Sequence, residues 1–317
     1  MELFVIVFNS IFPVFFIILL GFWLFKIEFI NVETQKGLNR LAYWVALPAF
    51  LFFKIANAKL EMKTVGNLFT SVLLGTLFAM LLGYVLSRIF KASRASSGAS
   101  VQASGRGNQA FIALPIVIYT IDQLAPDRAE ILVDSVVLVL SPLVIIYNLI
   151  CVTVMIIHSS KESENLKKDI IKGLYTNPLI IACVSGLLWN YFEVDLSKGS
   201  AIFRSCEAIG LSAFPMALLG VGSQLAQIHI KGHINWALCY SSIKTIVAPL
   251  AGFGIACLLG MDRVESVLAM IMLTTPTAVA AYVLADQLEC DPDITASTIM
   301  ISTIMSFFTF SAILLIF

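Results

Sequence analysis

Apolar residues in this chain come in long unbroken blocks separated by short polar ones. Met1–Phe25, Leu68–Phe90, Ile131–Ile157 and Ile294–Phe317 each reach or approach the roughly 20 residues that a helix needs to cross a bilayer. Backbone in hydrocarbon must satisfy its own hydrogen bonds, which leaves helices or a closed barrel. Barrel strands would alternate apolar and polar positions, and these blocks do not. The pattern therefore predicts an all-α polytopic membrane protein. Ten spans are expected, at 3–25, 36–57, 66–90, 101–121, 131–157, 173–193, 201–226, 234–260, 264–286 and 293–316. The longest polar stretch, Ser159–Asp169, falls between the fifth and sixth. Residues 1–157 then read as one five-helix unit, 158–172 as a cytoplasmic linker and 173–317 as a second five-helix unit of one integrated membrane domain.

The two units carry matching interruptions. Pro178 follows Pro13 by 165 positions, Pro215 follows Pro48 by 167, and Pro276 follows Pro115 by 161. The tripeptide Asp-Gln-Leu recurs at 122–124 and 286–288, an offset of 164. Such steady offsets point to a duplicated half, and paired Pro and Gly breaks at corresponding depths are a sign of a secondary transporter. An odd number of spans per half makes the halves inverted. Lys and Arg support this topology. Placing both termini outside puts eleven basic residues in inside loops and seven in outside loops.

Composition agrees with the membrane reading. Hydrophobic residues are 59% and charged residues 13%, against about a quarter charged in soluble domains. Net charge is zero, so no nucleic-acid partner is expected. The start, Met1-Glu2-Leu3, has no basic n-region and reads as the first span. The six cysteines are scattered without a C-x-x-C pair and read as small buried hydrophobes, with no metal site. The expected location is the plasma membrane, the inner membrane of a bacterium.

Two spans are poorly suited to a continuous helix. The fourth reads Ser104-Gly105-Arg106-Gly107-Asn108-Gln109-Ala110-Phe111-Ile112-Ala113-Leu114-Pro115. Glycines, adjacent amides and a proline within a dozen residues weaken it. The ninth carries Leu273-Thr274-Thr275-Pro276-Thr277. Thr275 before Pro276 reads as N-cap followed by first helical residue, so a half-helix is expected to begin there. Free N–H groups at such an N-terminus favour an anion. The candidate substrate-binding residues are Gly107, Asn108, Gln109, Pro115, Thr274, Thr275, Pro276 and Thr277. Pro13, Pro142, Pro178 and Pro249 read as simple kinks.

Ionisable residues within spans are a second set of candidates. Arg40 and Glu207 each lie eight residues before their repeat's proline, Pro48 or Pro215. Inversion favours opposite membrane surfaces over a mutual ion pair. Arg106 adjoins the break and could attract an anion or serve as a positive-inside residue. Lys244 could pair with Asp134 or Glu207, or snorkel to the surface. Proton coupling would use Asp134, which reads as interfacial, or Glu207. Asn108, Gln109, Thr274 and Thr277 with unwound carbonyls could build a sodium site. No cofactor is implied beyond such H+ or Na+ coupling.

Several segments resemble one family. Gly107-Asn108-Gln109-Ala110-Phe111-Ile112-Ala113-Leu114-Pro115 is similar to the G-N-x-x-F-x-x-x-P signature of the auxin efflux carrier family, which includes plant PIN proteins and bacterial permeases often labelled malonate transporters. Leu38-Asn39-Arg40-Leu41 with Val45-Ala46-Leu47-Pro48-Ala49 resembles its second helix. Phe214-Pro215-Met216-Ala217-Leu218-Leu219-Gly220-Val221-Gly222 resembles its seventh. The resemblance runs in order along essentially the whole chain. It implies ten transmembrane helices as two inverted five-helix repeats, with broken helices 4 and 9 crossing mid-membrane. It also implies an organic anion bound near that crossing and moved by an elevator-like displacement. Two departures point away from auxin and toward a mono- or dicarboxylate permease. The middle loop is short, and Gly107-Asn108-Gln109 stands where plant carriers have Asn-Pro-Asn.

Enzymatic readings find little support. His158, His229 and His233 fall in loops, and there is no H-E-x-x-H. Gly210-Leu211-Ser212-Ala213 is similar to an intramembrane serine protease motif, but no histidine in a span could serve Ser212 as base. No Gly-rich phosphate loop occurs. The expected function is secondary transport of a small organic anion, and the alternative is a membrane-embedded sensor that keeps the carrier fold. Expected partners are the anion and the lipid bilayer, with a homodimer as the candidate assembly.

Overall fold

A computed structural model describes residues 2–59, 61–159, 176–192, 200–230 and 234–316. The linker expected at 158–172 lies outside them except for His158 and Ser159. Among the described residues regular structure is helical, with one isolated β-bridge. In chain order the helices are α1 (Glu2–Lys26), α2 (Val32–Leu41), α3 (Leu47–Ala56), α4 (Met62–Ile89), α5 (Arg94–Gly105), α6 (Leu114–Leu124), α7 (Ala129–His158), α8 (Pro178–Tyr191), α9 (Ala201–Leu211), α10 (Ala213–Leu225), α11 (Ile234–Ser242), α12 (Ala248–Leu258), α13 (Arg263–Thr274), α14 (Ala280–Gln287) and α15 (Pro292–Ile316).

Seven of these helices or near-continuous helix pairs are long and apolar enough to cross a membrane. Gln109–Leu124 and Pro178–Tyr191 are shorter apolar helices. Large apolar side chains such as Phe8, Phe12 and Phe16 face outward, while the interior holds many buried Ser, Thr and Gln side chains. The apolar exterior sets it apart from a soluble domain, where large exposed apolar patches are rare, while the core itself is mostly hydrophobic.

The prolines do three different jobs. Three follow a widened π-helical turn: Ala42–Ala46 before Leu47-Pro48, Gln109–Ala113 before Leu114-Pro115, and Ile243–Val247 before Ala248-Pro249. Proline has no N–H to give and its ring crowds the carbonyl four residues back. In each case that carbonyl lies inside the π-turn, and the extra residue relieves the crowding. Pro249 therefore marks a π-turn, not a simple kink. Pro178 starts α8, where its missing N–H costs nothing, and Asn177 caps Leu179 N at 2.9 Å. Pro13 and Pro142 lie deep inside uninterrupted helices, α1 and α7, and Pro215 lies in the first turn of α10.

Packing sorts the helices into two groups. α1 lies most extensively on α10, and α3 on α8 and α9, with α2 also on α10. In the other group α4 packs on α5, α7, α12 and α13, while α11 packs on α15. The α1–α10 seam uses small residues. Gly21 faces the backbone of Leu219, Gly222 faces that of Ile18, and Ser223 Oγ donates to Gly21 O at 3.1 Å. Close backbone approach of this kind replaces the hydrophobic drive that lipid removes.

Polar contacts tie the loops together at two ends. At one, Phe90 stacks on Trp236 at 5.7 Å and Ser96 Oγ donates to Asp291 at 2.5 Å. At the other, Arg128 meets Asp262 at 2.5 Å and Thr64 Oγ1 donates to Glu265 at 2.7 Å.

Candidate functional site

Two interrupted helices meet inside the second group. α5 stops at Gly105, and Arg106 is extended at φ −75°, ψ 96°. Asn108 then leads at φ −86°, ψ 60° into the π-turn and α6. α13 stops at Thr274, with Thr275 at φ −53°, ψ 143°, and the next helix starts only at Ala280. Thr275 is thus a C-cap, and Pro276 belongs to an extended link. The expectation of a half-helix starting at Pro276 is corrected. Proline fits that link because an extended backbone with no ladder donor is its natural state.

The two extended links pair with each other. Asn108 N donates to Pro276 O at 3.0 Å, and Ala278 N donates to Arg106 O at 2.9 Å, an antiparallel bridge of Gly107 with Thr277. Unpaired backbone would be costly here, and each link supplies what the other lacks. Side chains finish the accounting. Thr277 N receives Ser302 Oγ as acceptor at 3.0 Å, and Thr277 Oγ1 donates to Ala103 O at 2.6 Å. Gln109 Nε2 donates to Met272 O at 3.3 Å. Gly107 is required by this closeness. A Cβ there would run into Thr275 Oγ1 and sit 3.0 Å from Lys244 Nζ.

Two overlapping cavities, about 460 and 320 Å³, open beside the bridge. Tyr43, Arg106, Asn108, Phe111, Asn148, Ala278 and Ala280 line both. Asn39 and Gln224 extend the larger one and hydrogen-bond each other at 3.4 Å. Neither wall includes a carboxylate. Arg106 Nη1 is shielded from solvent and has no hydrogen-bond partner, as is Gln109 Oε1. Asn39, Gln224, Val279 and Val283 continue into a third cavity of about 480 Å³ that reaches Lys36, His229 and Asp293 in the loop region of the Phe90 end. These volumes suit a small ligand. A half-buried guanidinium, amides and a phenol without a competing acid can take up a carboxylate.

Residues 6–314 match the membrane transport protein family. The chain belongs to that family, the family of the auxin efflux carriers. An uncharacterized transporter of Methanocaldococcus jannaschii is 23% identical over 294 residues, 92% of each chain. Another, from Methanothermobacter thermautotrophicus, is 21% identical over 304 residues, 94% of each. Family membership and the seven apolar helices make this an integral membrane protein of the transport class.

The sequence-predicted residues divide by position. Gly107, Asn108 and Gln109 line the smaller cavity with Arg106. Thr274, Thr275, Pro276 and Thr277 are buried behind it, and Ala278–Ala280 form the wall instead. Pro115 lines a separate cavity of about 590 Å³ with Lys54, Asp122, Glu130 and Glu207. Arg40 is exposed, and no ion pair joins it to Glu207 among the described residues. Asp134 is buried near the start of α7 and accepts from Lys59 N, in the loop before α4, at 3.3 Å. Lys244 neither snorkels nor meets Asp134 or Glu207. It is fully buried and donates to Leu273 O at 2.6 Å. Tyr43, Asn148 and Gln224 escaped the sequence reading. For Asn148 a signal existed, a lone amide in the apolar block 131–157.

Proposed function

We propose that this chain is a secondary active carrier of a small organic anion, a mono- or dicarboxylate, working by an elevator-type displacement. The observation that carries the proposal is Arg106. Arg106 lines a cavity without a carboxylate beside a crossing of two interrupted helices, and its shielded Nη1 has no hydrogen-bond partner. A half-buried cation lacking an acidic partner gains from a ligand that supplies the negative charge. The elevator reading is supported by where the cavity lies. Asn39, Tyr43 and Gln224 come from the group built on α1, α3 and α10, while Arg106, Asn108 and Asn148 come from the group holding the crossing. Sliding one group along the other would carry a ligand bound at the crossing. The inverted repeat is supported by the contacts as well. Under an exchange of halves, the α1–α10 seam becomes the α3–α8 seam.

The test pairs binding with flux. Purified protein is screened by thermal unfolding against carboxylates from acetate to succinate, with matched amines as controls. Ligand at a hundred times its Kd stabilises the native state by about 2.7 kcal/mol. Arg106→Gln is expected to weaken carboxylate binding by roughly ten- to a hundredfold, the equivalent of losing one charged hydrogen bond. Proteoliposome uptake should follow the same order of ligands. Equal carboxylate affinity in the variant would remove the site, and binding without flux would favour a sensor.

A further inference from the structure

Lys244 has a role that anion binding at the cavity does not require. It sits in the π-turn Ile243–Val247, and its side chain is fully buried. Among the described residues no ion pair includes it. Its Nζ donates to Leu273 O at 2.6 Å, at the C-terminal end of α13. The last carbonyls of a helix have no intrahelical donor and form the negative end of the helix dipole. Two more donors converge on the same turn. Thr275 Oγ1 and Gln109 Nε2 both reach Met272 O, at 3.2 and 3.3 Å. The ammonium also lies directly behind Gly107, because a Cβ there would be 3.0 Å from Nζ.

Helix C-terminal ends and unwound carbonyls at mid-membrane breaks form the kind of field that holds a coupling sodium ion in other secondary transporters. Here a side-chain cation stands in that field. We propose that the Lys244 ammonium is a tethered substitute for a bound sodium ion, neutralising the α13 terminus behind the anion site so that the crossing holds together without sodium. The inference rests on reading the crossing as the centre of a carrier. Lys244 is a positioning residue in this account, since Gly107 separates it from the cavity. It adds positive potential behind Arg106 without touching the anion.

The experiment compares thermal unfolding of the purified full chain in sodium chloride and in choline chloride at equal ionic strength. Wild type is expected to melt at the same temperature in both. Lys244→Ala, which opens space at the carbonyls, should lose several degrees in choline and regain part of them in sodium or ethylammonium chloride. Lys244→Met should lose stability and regain nothing, because its side chain fills the space without charge. A wild type stabilised by sodium overturns the proposal even if no variant folds. So does a Lys244→Ala protein as stable as wild type in choline, or one indifferent to every cation. Carboxylate-induced stabilisation, read on the same samples, tests the carrier site separately. If it fails while wild type remains sodium-indifferent and the alanine variant is rescued, the carboxylate assignment of the cavity falls and the tethered cation at the crossing stands.

Discussion

Gly107 shows what a single residue contributes to the crossing. Its flanking amides and carbonyls bridge to the opposite link, and its α-carbon faces Thr275 and Lys244 with no space for a methyl group. Gly107→Ala should therefore destabilise the protein by about 1–3 kcal/mol through overpacking. Gly66→Ala is the control. It lies in α4 with nothing within 4 Å of an added Cβ, and a helical alanine there is expected to gain about 0.5–1 kcal/mol. Thermal unfolding in detergent checks both, and a harmless Gly107→Ala would mean that the bridge tolerates separation. Arg106 and Asn108 stood out in the sequence because charge and amide beside glycine are unusual in an apolar span. Asn39 is noted in the sequence only within a segment resembling the family's second helix and Gln224 not at all; they lie 185 residues apart, and packing joins them.

At the scale of elements, the ends of α13 matter as much as its length. Its start carries a capping box, in which Asp262 Oδ1 accepts Glu265 N at 2.8 Å and Glu265 Oε2 accepts Asp262 N at 3.1 Å. Removing the cap with Asp262→Ala should cost about 1 kcal/mol. The same carboxylate carries a pH dependence. Burial pushes the Asp262 carboxyl up, but the Arg128 hydrogen bond, the backbone N–H bonds and the Arg128 charge together hold it below its ordinary value. A carboxyl more acidic folded than unfolded stabilises fully above the unfolded value, about 3.9, and less as pH falls through the folded one. Melting curves of wild type and Asp262→Asn should thus differ at pH 6 and converge below about pH 4. A gap that widens on acidification would contradict that sign. The other end of α13 departs from the sequence expectation, with Thr275 as a C-cap. Thr-Pro is a common helix start, yet an extended partner strand at 106–108 captures the link first. The π-turns before Pro48, Pro115 and Pro249 left only the proline as a local trace, since turn width depends on how the surrounding helices hold the chain.

Across the whole molecule, the two helix groups meet along the cavity wall, and the two loop ends differ in chemistry. The cavity leads toward Lys36 and His229, whereas Lys54, Glu130 and Glu207 line a cavity directed to the opposite end. We propose that the first end is cytoplasmic, from the excess of basic loop residues under the positive-inside rule. In a background with exposed Cys257 replaced by serine, His229→Cys should react with an impermeant maleimide in inside-out vesicles. Lys54→Cys should react in right-side-out ones. Labelling of both from one side would break the two-ended arrangement.

The sequence by itself determined the helical membrane class, the positions of the long rods and the two weakened segments, because apolar period, glycine and proline act on neighbouring residues. Tertiary structure decided that the two segments answer each other's backbone, that Arg106 keeps an unpartnered nitrogen in the cavity wall, and that Lys244 is held at the end of α13. Those outcomes join positions up to about 170 residues apart, as between Arg106 and Ala278. No local pattern encodes them, since they follow from which buried polar groups can reach one another once the helices are packed.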